Sequence, residues 1–169
     1  MAVSNGRKWN NSGTYSANAR IHTRVIDFDD STTAKDVFRI LIGIGGFSTS
    51  VLTVVAHYRF TTGGDDIDSG WKLFGVGSGI PEGGQNIEIM PASSTFTDIE
   101  TTIYTHTNGT EESFKKLANV YIVQFKFTYI YSANSVEAHD FKNAIELNDI
   151  NIEYRLRRNV SISGPSTGE

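Results

Sequence analysis

The chain has 169 residues, with fifteen Lys and Arg against nineteen Asp and Glu, and a net charge of −4 at pH 7. So mild a charge does not favour nucleic acid as a partner, and no apolar run approaches the ~18 residues of a membrane span. The absence of cysteine excludes disulfides, thiolate metal sites and cysteine nucleophiles. Ten Phe, seven Tyr and two Trp are enough large side chains to fill the core of one domain.

The first segment, residues 1–18, is rich in Asn, Ser and Gly and predicts an N-terminal arm rather than a core element. Its first nine residues lack the apolar stretch of a secretory signal, so we expect synthesis in the cytoplasm. One β-rich domain over residues 19–162 and a C-terminal tail over residues 163–169 complete the predicted organisation.

Segments with period-two alternation follow one another through the domain, which is typical of strands. They cover residues 20–28, 37–44, 51–60, 71–76, 85–90 and 98–107, with a final pair near 136–141 and 149–162. The glycines of 43–46 and of 75–79 are interpreted as turns, because neither group completes the phosphate-binding Gly-x-Gly-x-x-Gly motif. Asn108-Gly109 is a hairpin signal, and residues 111–118 are interpreted as a segment that can form one short helical turn.

The clearest pattern is Val120-Tyr-Ile-Val-Gln-Phe-Lys-Phe-Thr-Tyr-Ile-Tyr131. An extended chain places six of these side chains on one apolar and largely aromatic face: Tyr121, Val123, Phe125, Phe127, Tyr129 and Tyr131. Such regular alternation indicates burial on one side of a sheet rather than a platform for ligand stacking. With about eight or nine strands, the sequence predicts an all-β fold, an antiparallel β-sandwich with a jelly-roll-like arrangement.

No catalytic constellation emerges from the spacing of reactive side chains. The four histidines are scattered and none forms a His-Glu-x-x-His pair, while Ser78 fails the spacing of a nucleophile elbow. We therefore expect a protein that is not an enzyme and that needs no cofactor.

Two groups of residues are weak candidates for ligand binding. Asp65, Asp66 and Asp68 offer hard oxygen ligands to calcium, but they lack the EF-hand spacing, so a structural turn is favoured and no metal is predicted. Trp71 could stack on a sugar, although a core tryptophan is the favoured interpretation. Tyr104 and His106 alternate onto one strand face, which is a second glycan candidate or simply solvent-facing surface.

Four segments together resemble the β-sandwich tip domains of bacteriophage tail fibres and other phage fibres: residues 20–28, 37–46, 51–60 and 119–131. The resemblance covers residues 19–159 and rests on strand order and residue pattern, without an invariant motif. It implies a non-enzymatic homo-oligomer, often a trimer, that contacts other virion proteins or host glycans through loops or edge strands.

No fibrous repeat precedes these segments, so the chain is more similar to a small virion component than to a complete receptor-binding fibre. A capsid decoration protein, a head fibre and a tail adaptor are the expected types, made in the host cytoplasm and located in the virion. The alternative hypothesis is a free carbohydrate-binding module or lectin, calcium dependent through the loop that holds Asp65, Asp66 and Asp68.

Overall fold

The computed structural model describes residues 6–7, 14–46, 51–60, 70–92, 96–134 and 145–157. All regular elements within these ranges are β-strands. They are β1 (Gly6–Arg7), β2 (Thr14–His22), β3 (Lys35–Gly46), β4 (Leu52–Arg59), β5 (Lys72–Gly79), β6 (Gln85–Ile89), β7 (Ile99–Thr105), β8 (Glu111–Val120), β9 (Gln124–Asn134) and β10 (Ile145–Leu156).

The strands form two antiparallel sheets. The first has the order β1-β2-β9-β4-β5, and the second has the order β10-β3-β8-β7, with β6 pairing to β3 as well. The chain changes sheet five times, between β2 and β3, β3 and β4, β5 and β6, β8 and β9, and β9 and β10. The prediction of an all-β antiparallel sandwich with a jelly-roll-like arrangement is therefore confirmed.

The aromatic face of β9 lies in the core between the two sheets. Val123, Phe125 and Phe127 are fully buried and Tyr129 nearly so. Phe125 stacks on Phe127 with 6.1 Å between ring centroids. The interpretation of this face as core is confirmed for these four residues. The predicted single strand is nevertheless wrong at its start, since Val120 ends β8 and the exposed Tyr121 lies in the turn before β9.

The segment interpreted as a helical turn is the extended strand β8. It pairs with β7 over seven consecutive positions, from Ile99 opposite Leu117 to Thr105 opposite Glu111. The Asn108-Gly109 signal lies in the connecting loop, where Gly109 has φ 82° and the side chain of Asn108 accepts from the Thr110 amide at 3.0 Å. This hairpin supplies a ladder of backbone hydrogen bonds that a single helical turn would lack.

The glycines interpreted as turns lie inside strands instead. Gly75 and Gly77 are in β5, and Gly43 is in β3. A Cβ on Gly77 would sit 2.5 Å from the carbonyl oxygen of Glu88, so the missing side chain lets β5 approach the backbone of β6. On Gly43 the same position is filled by the carboxylate of Asp149. These glycines make room for a neighbouring strand.

The remaining differences concern strand ends. β2 begins at Thr14, and the predicted strand 20–28 is regular only as far as His22; beyond it, Ile26 forms an isolated bridge with Val123. The final strand runs from Ile145 to Leu156, earlier than the predicted 149–162. The predicted strand at 136–141 lies outside the described residues.

Candidate functional site

The calcium candidates Asp65, Asp66 and Asp68 lie outside the described residues. In the part of the chain that is described, no group of three or more His, Asp or Glu side chains is arranged to hold a metal ion.

Trp71 lies on the outer face of the first sheet and is half-buried, so the favoured interpretation as a core residue is wrong. The guanidinium of Arg59 is 4.5 Å from the centroid of its ring, and the ammonium of Lys126 is 4.8 Å away. The ring of His22 packs beside it at 5.4 Å. Cations from β4 and β9 thus contact the indole.

Tyr104 and His106 are brought together at the end of the β7–β8 hairpin. Their rings meet edge to face with centroids 4.9 Å apart, and His106 Nε2 lies 3.3 Å from a carboxylate oxygen of Glu112. Tyr104 is 54% exposed, and its neighbour Ile103 is 62% exposed on the opposite face. The hairpin extends beyond the core and presents an aromatic ring beside polar groups, which is a surface suited to contact with another molecule.

A larger surface, which the sequence did not single out, lies on β10. We call the four apolar side chains Leu147, Ile150, Tyr154 and Leu156 the β10 strip; they are 41%, 37%, 42% and 57% exposed. The ladder places Leu147 opposite Ile44 and Ile150 opposite Ile42, both of which are core residues of β3. The strip thus faces the same side as the core but is left uncovered.

The position of β10 in its sheet explains this exposure. β10 is at one end of the strand order, and within the described ranges no strand pairs with its outer edge. Among the described residues, the backbone groups on this outer edge of β10 have no strand partner, and the apolar strip lies beside them.

The C-terminal end of β10 is fixed by ion pairs with β3 and β7, and a lysine of β8 joins the same network. Arg157, which follows β10, donates to Asp36 at 2.6 Å and to Glu100 at 2.8 Å, and Lys116 donates to the same Asp36 at 2.7 Å. Burial disfavours the charge of Arg157, but the hydrogen bonds and the attraction to Asp36 and Glu100 together outweigh burial and raise its pKa. These pairs hold the C-terminal end of β10 to β3, β7 and β8.

A second ion pair fixes the middle of β10. Arg39 of β3 donates to Glu153 at 2.6 Å and to Glu88 of β6 at 2.7 Å. The hydrogen bond from Arg39 lowers the pKa of Glu153. Since β10 is held along its length on one side, its free edge is a preformed surface rather than a loose strand.

A groove of about 880 Å³ borders one end of the β10 strip, lined by residues 23–29, Ile122 and Tyr154. The ring of Phe28 packs on Tyr154 with centroids 4.4 Å apart. Phe28 and Asp29 both have positive φ values, 55° and 62°, and the buried Lys35 donates to the carbonyl oxygen of Asp27 at 3.0 Å. This lysine fixes the strained loop beside β10.

Comparisons with known proteins bring no relative. The chain matches no protein-family model, no curated protein and no solved structure. None of the described elements is a helix long and apolar enough to cross a membrane.

Proposed function

We propose that this chain is a non-enzymatic structural protein that acts by assembling with copies of itself and with neighbouring proteins. One observation carries the proposal. The 12-residue edge strand β10 is held to β3 on one side, and it presents an exposed apolar strip and a row of backbone groups that no described strand pairs with. Such a surface is suited to protein contact, because it offers both backbone hydrogen bonds and apolar area to an incoming partner.

The setting that we propose is a bacteriophage virion, where the chain serves as a capsid decoration protein, head fibre or tail adaptor with a part in host attachment. The resemblance of the strand order to phage fibre tip domains supports this setting. A β-sandwich that contacts its neighbours through an edge strand also fits the homo-oligomer implied by that resemblance.

The test is recovery of the chain with particles. Phage particles from a lysate of the bacterium that carries the gene are purified on a density gradient, and the chain is sought in them by mass spectrometry and immunogold labelling. We expect a fixed number of copies per particle, at one place on the particle. A chain that stays in the soluble fraction as a monomer would contradict the proposal.

A second candidate, glycan binding, is favoured by the exposed Tyr104 beside His106 and Glu112. An exposed ring next to hydrogen-bonding groups is the usual arrangement for stacking on a sugar. The purified chain is applied to a glycan array together with Tyr104→Ala and the control Tyr121→Ala, which removes an exposed tyrosine from another place. Binding that is lost only with Tyr104→Ala supports this candidate, and equal signals from all three proteins remove it.

A further inference from the structure

We infer that β10 pairs with β10 of a second copy, antiparallel and with Ile152 facing Ile152 across a two-fold axis. The inference rests on the proposed assembly function and deepens it by naming the partner and the register. It joins the second sheets of two copies into one continuous sheet.

The backbone of β10 is oriented for this pairing. The amide of Arg157 donates to the carbonyl oxygen of Ala34 at 2.8 Å, so odd-numbered residues of β10 direct their backbone groups toward β3. No register shift on the β10 side interrupts the alternation from Asp149 to Leu156. Ile150, Ile152 and Tyr154 therefore direct their N–H and C=O groups to the free edge. With Ile152 at the two-fold axis, these three residues form about six hydrogen bonds between the copies.

The charges on β10 select the register. With Ile152 on the axis, Asp149 of each copy faces Arg155 of the other, and Ile150 faces Tyr154. A shift of the axis to residue 153 places Glu153 opposite itself. A shift to residue 151 places Asp149 opposite Glu153. Like charges directly opposite each other are unfavourable, so both neighbouring registers are disfavoured.

The apolar side chains favour a second copy over the chain's own N-terminal arm. The β10 strips of two copies lie on the same face of the joined sheet, so Ile150 meets Tyr154 and Ile152 meets its equivalent. The residues before β2 offer no matching alternation, because Met1, Val3 and Trp9 are the only large apolar side chains among residues 1–13. A two-fold pair also differs from the trimer that the phage resemblance implies.

The absence of cysteine makes a direct test simple. The full-length variant Ile152→Cys is oxidised beside the control Ile150→Cys, which in this register faces Tyr154 and not itself. Facing residues of an antiparallel pair have Cα atoms within disulfide range. We expect a disulfide-linked dimer from Ile152→Cys at several times the yield from the control. Equal yields, or a higher yield from Ile150→Cys, would overturn the register.

A charge exchange tests the same contact without oxidation. Asp149→Arg and Arg155→Asp each replace two attractive pairs by two repulsive ones, and we expect dimerisation about tenfold weaker by analytical ultracentrifugation. The double variant restores the attraction and should dimerise as the unmodified chain does. A monomeric or trimeric unmodified chain would overturn the inference, as would a dimer that survives both single variants but is lost on deletion of residues 1–13.

These outcomes separate the inference from the proposed function. A dimer with the expected cross-link that is absent from particles contradicts the virion assignment and leaves the β10 pairing standing. A chain that is found on particles but shows no β10 contact contradicts the pairing alone.

Discussion

Replacement of Gly77 by Ala tests whether the strand glycines exist to let β5 and β6 approach. The added Cβ would lie 2.5 Å from the carbonyl oxygen of Glu88 and 2.7 Å from a methyl group of Ile87. A carbon–oxygen contact needs about 3.3 Å, so the backbone of β6 must move by about 0.8 Å. Since β6 is held to β3 by a five-position ladder, we expect a cost near the upper end of the overpacking range, about 3 kcal/mol.

Gly45→Ala is the matched control, because Gly45 is also a strand glycine but its Cβ would lie 3.4 Å from the nearest atom, the side-chain nitrogen of Asn148. We expect no loss of stability there and a gain of up to about 1 kcal/mol from the less flexible unfolded chain. Urea unfolding gives both free energies, and thermal unfolding should place Gly77→Ala roughly 6–12 °C below the unmodified chain. Equal stabilities of the two variants would refute the close-approach explanation.

Three further variants, two of them with a control, test the polar groups of the fold. Asp36→Ala leaves two cations without their shared carboxylate, and urea unfolding should show that the free energy of unfolding falls by about 2–3 kcal/mol. The control Glu88→Gln, which breaks an exposed ion pair, should lower it by less than about 0.5 kcal/mol. Burial, with the nearby charge of Lys126, lowers the pKa of His57. The folded chain therefore loses stability as pH falls below about 6.5, where the unfolded chain takes up a proton. His57→Gln should flatten this loss of stability between pH 7 and 5, whereas the exposed control His106→Gln should not. The buried hydroxyl of Tyr129 has no hydrogen-bond partner among the described residues, and burial raises its pKa to about 12. Tyr129→Phe should therefore raise the free energy of unfolding by about 1 kcal/mol at pH 7 and keep more of its stability above pH 10. A loss of stability at pH 7 would contradict this reasoning.

The alternation of apolar and polar residues was enough to predict the fold class, because in each strand the apolar residues mark the face that is buried. It could not decide between a helix and a strand for β8, where Phe114 and Leu117 have the spacing of one helical face. The alternation also could not distinguish glycines in turns from strand glycines that allow a neighbouring strand to approach closely. Gly77 faces Glu88, a residue of a different strand, and that approach is set by tertiary packing.

The candidate sites were predictable only where they are local. Tyr104 and His106 are two residues apart, so their contact follows from the chain itself. The position of Trp71 could not be predicted, because its contacts with Arg59 and Lys126 depend on the pairing of β4 with β9. The β10 strip has the alternation of a buried face. Only the strand order, which depends on long-range pairing, leaves that face uncovered.

The edges of the two sheets differ in a way that bears on assembly. β1 has 2 residues, β7 has 7 and β5 has 8, whereas β10 has 12. Proteins commonly protect a long edge with lysine, proline or a bulge, and β10 contains neither lysine nor proline. Its ladder with β3 has two irregularities: one lies near the start of β10, between Leu147 and Asp149, and the other, between Glu153 and Tyr154, comes from an extra residue of β3. Instead β10 carries opposite charges at equal distances from Ile152, Asp149 on one side and Arg155 on the other. Charges of either sign would serve solubility alone, whereas this antisymmetric placement is what a strand needs to attract its own copy in one register.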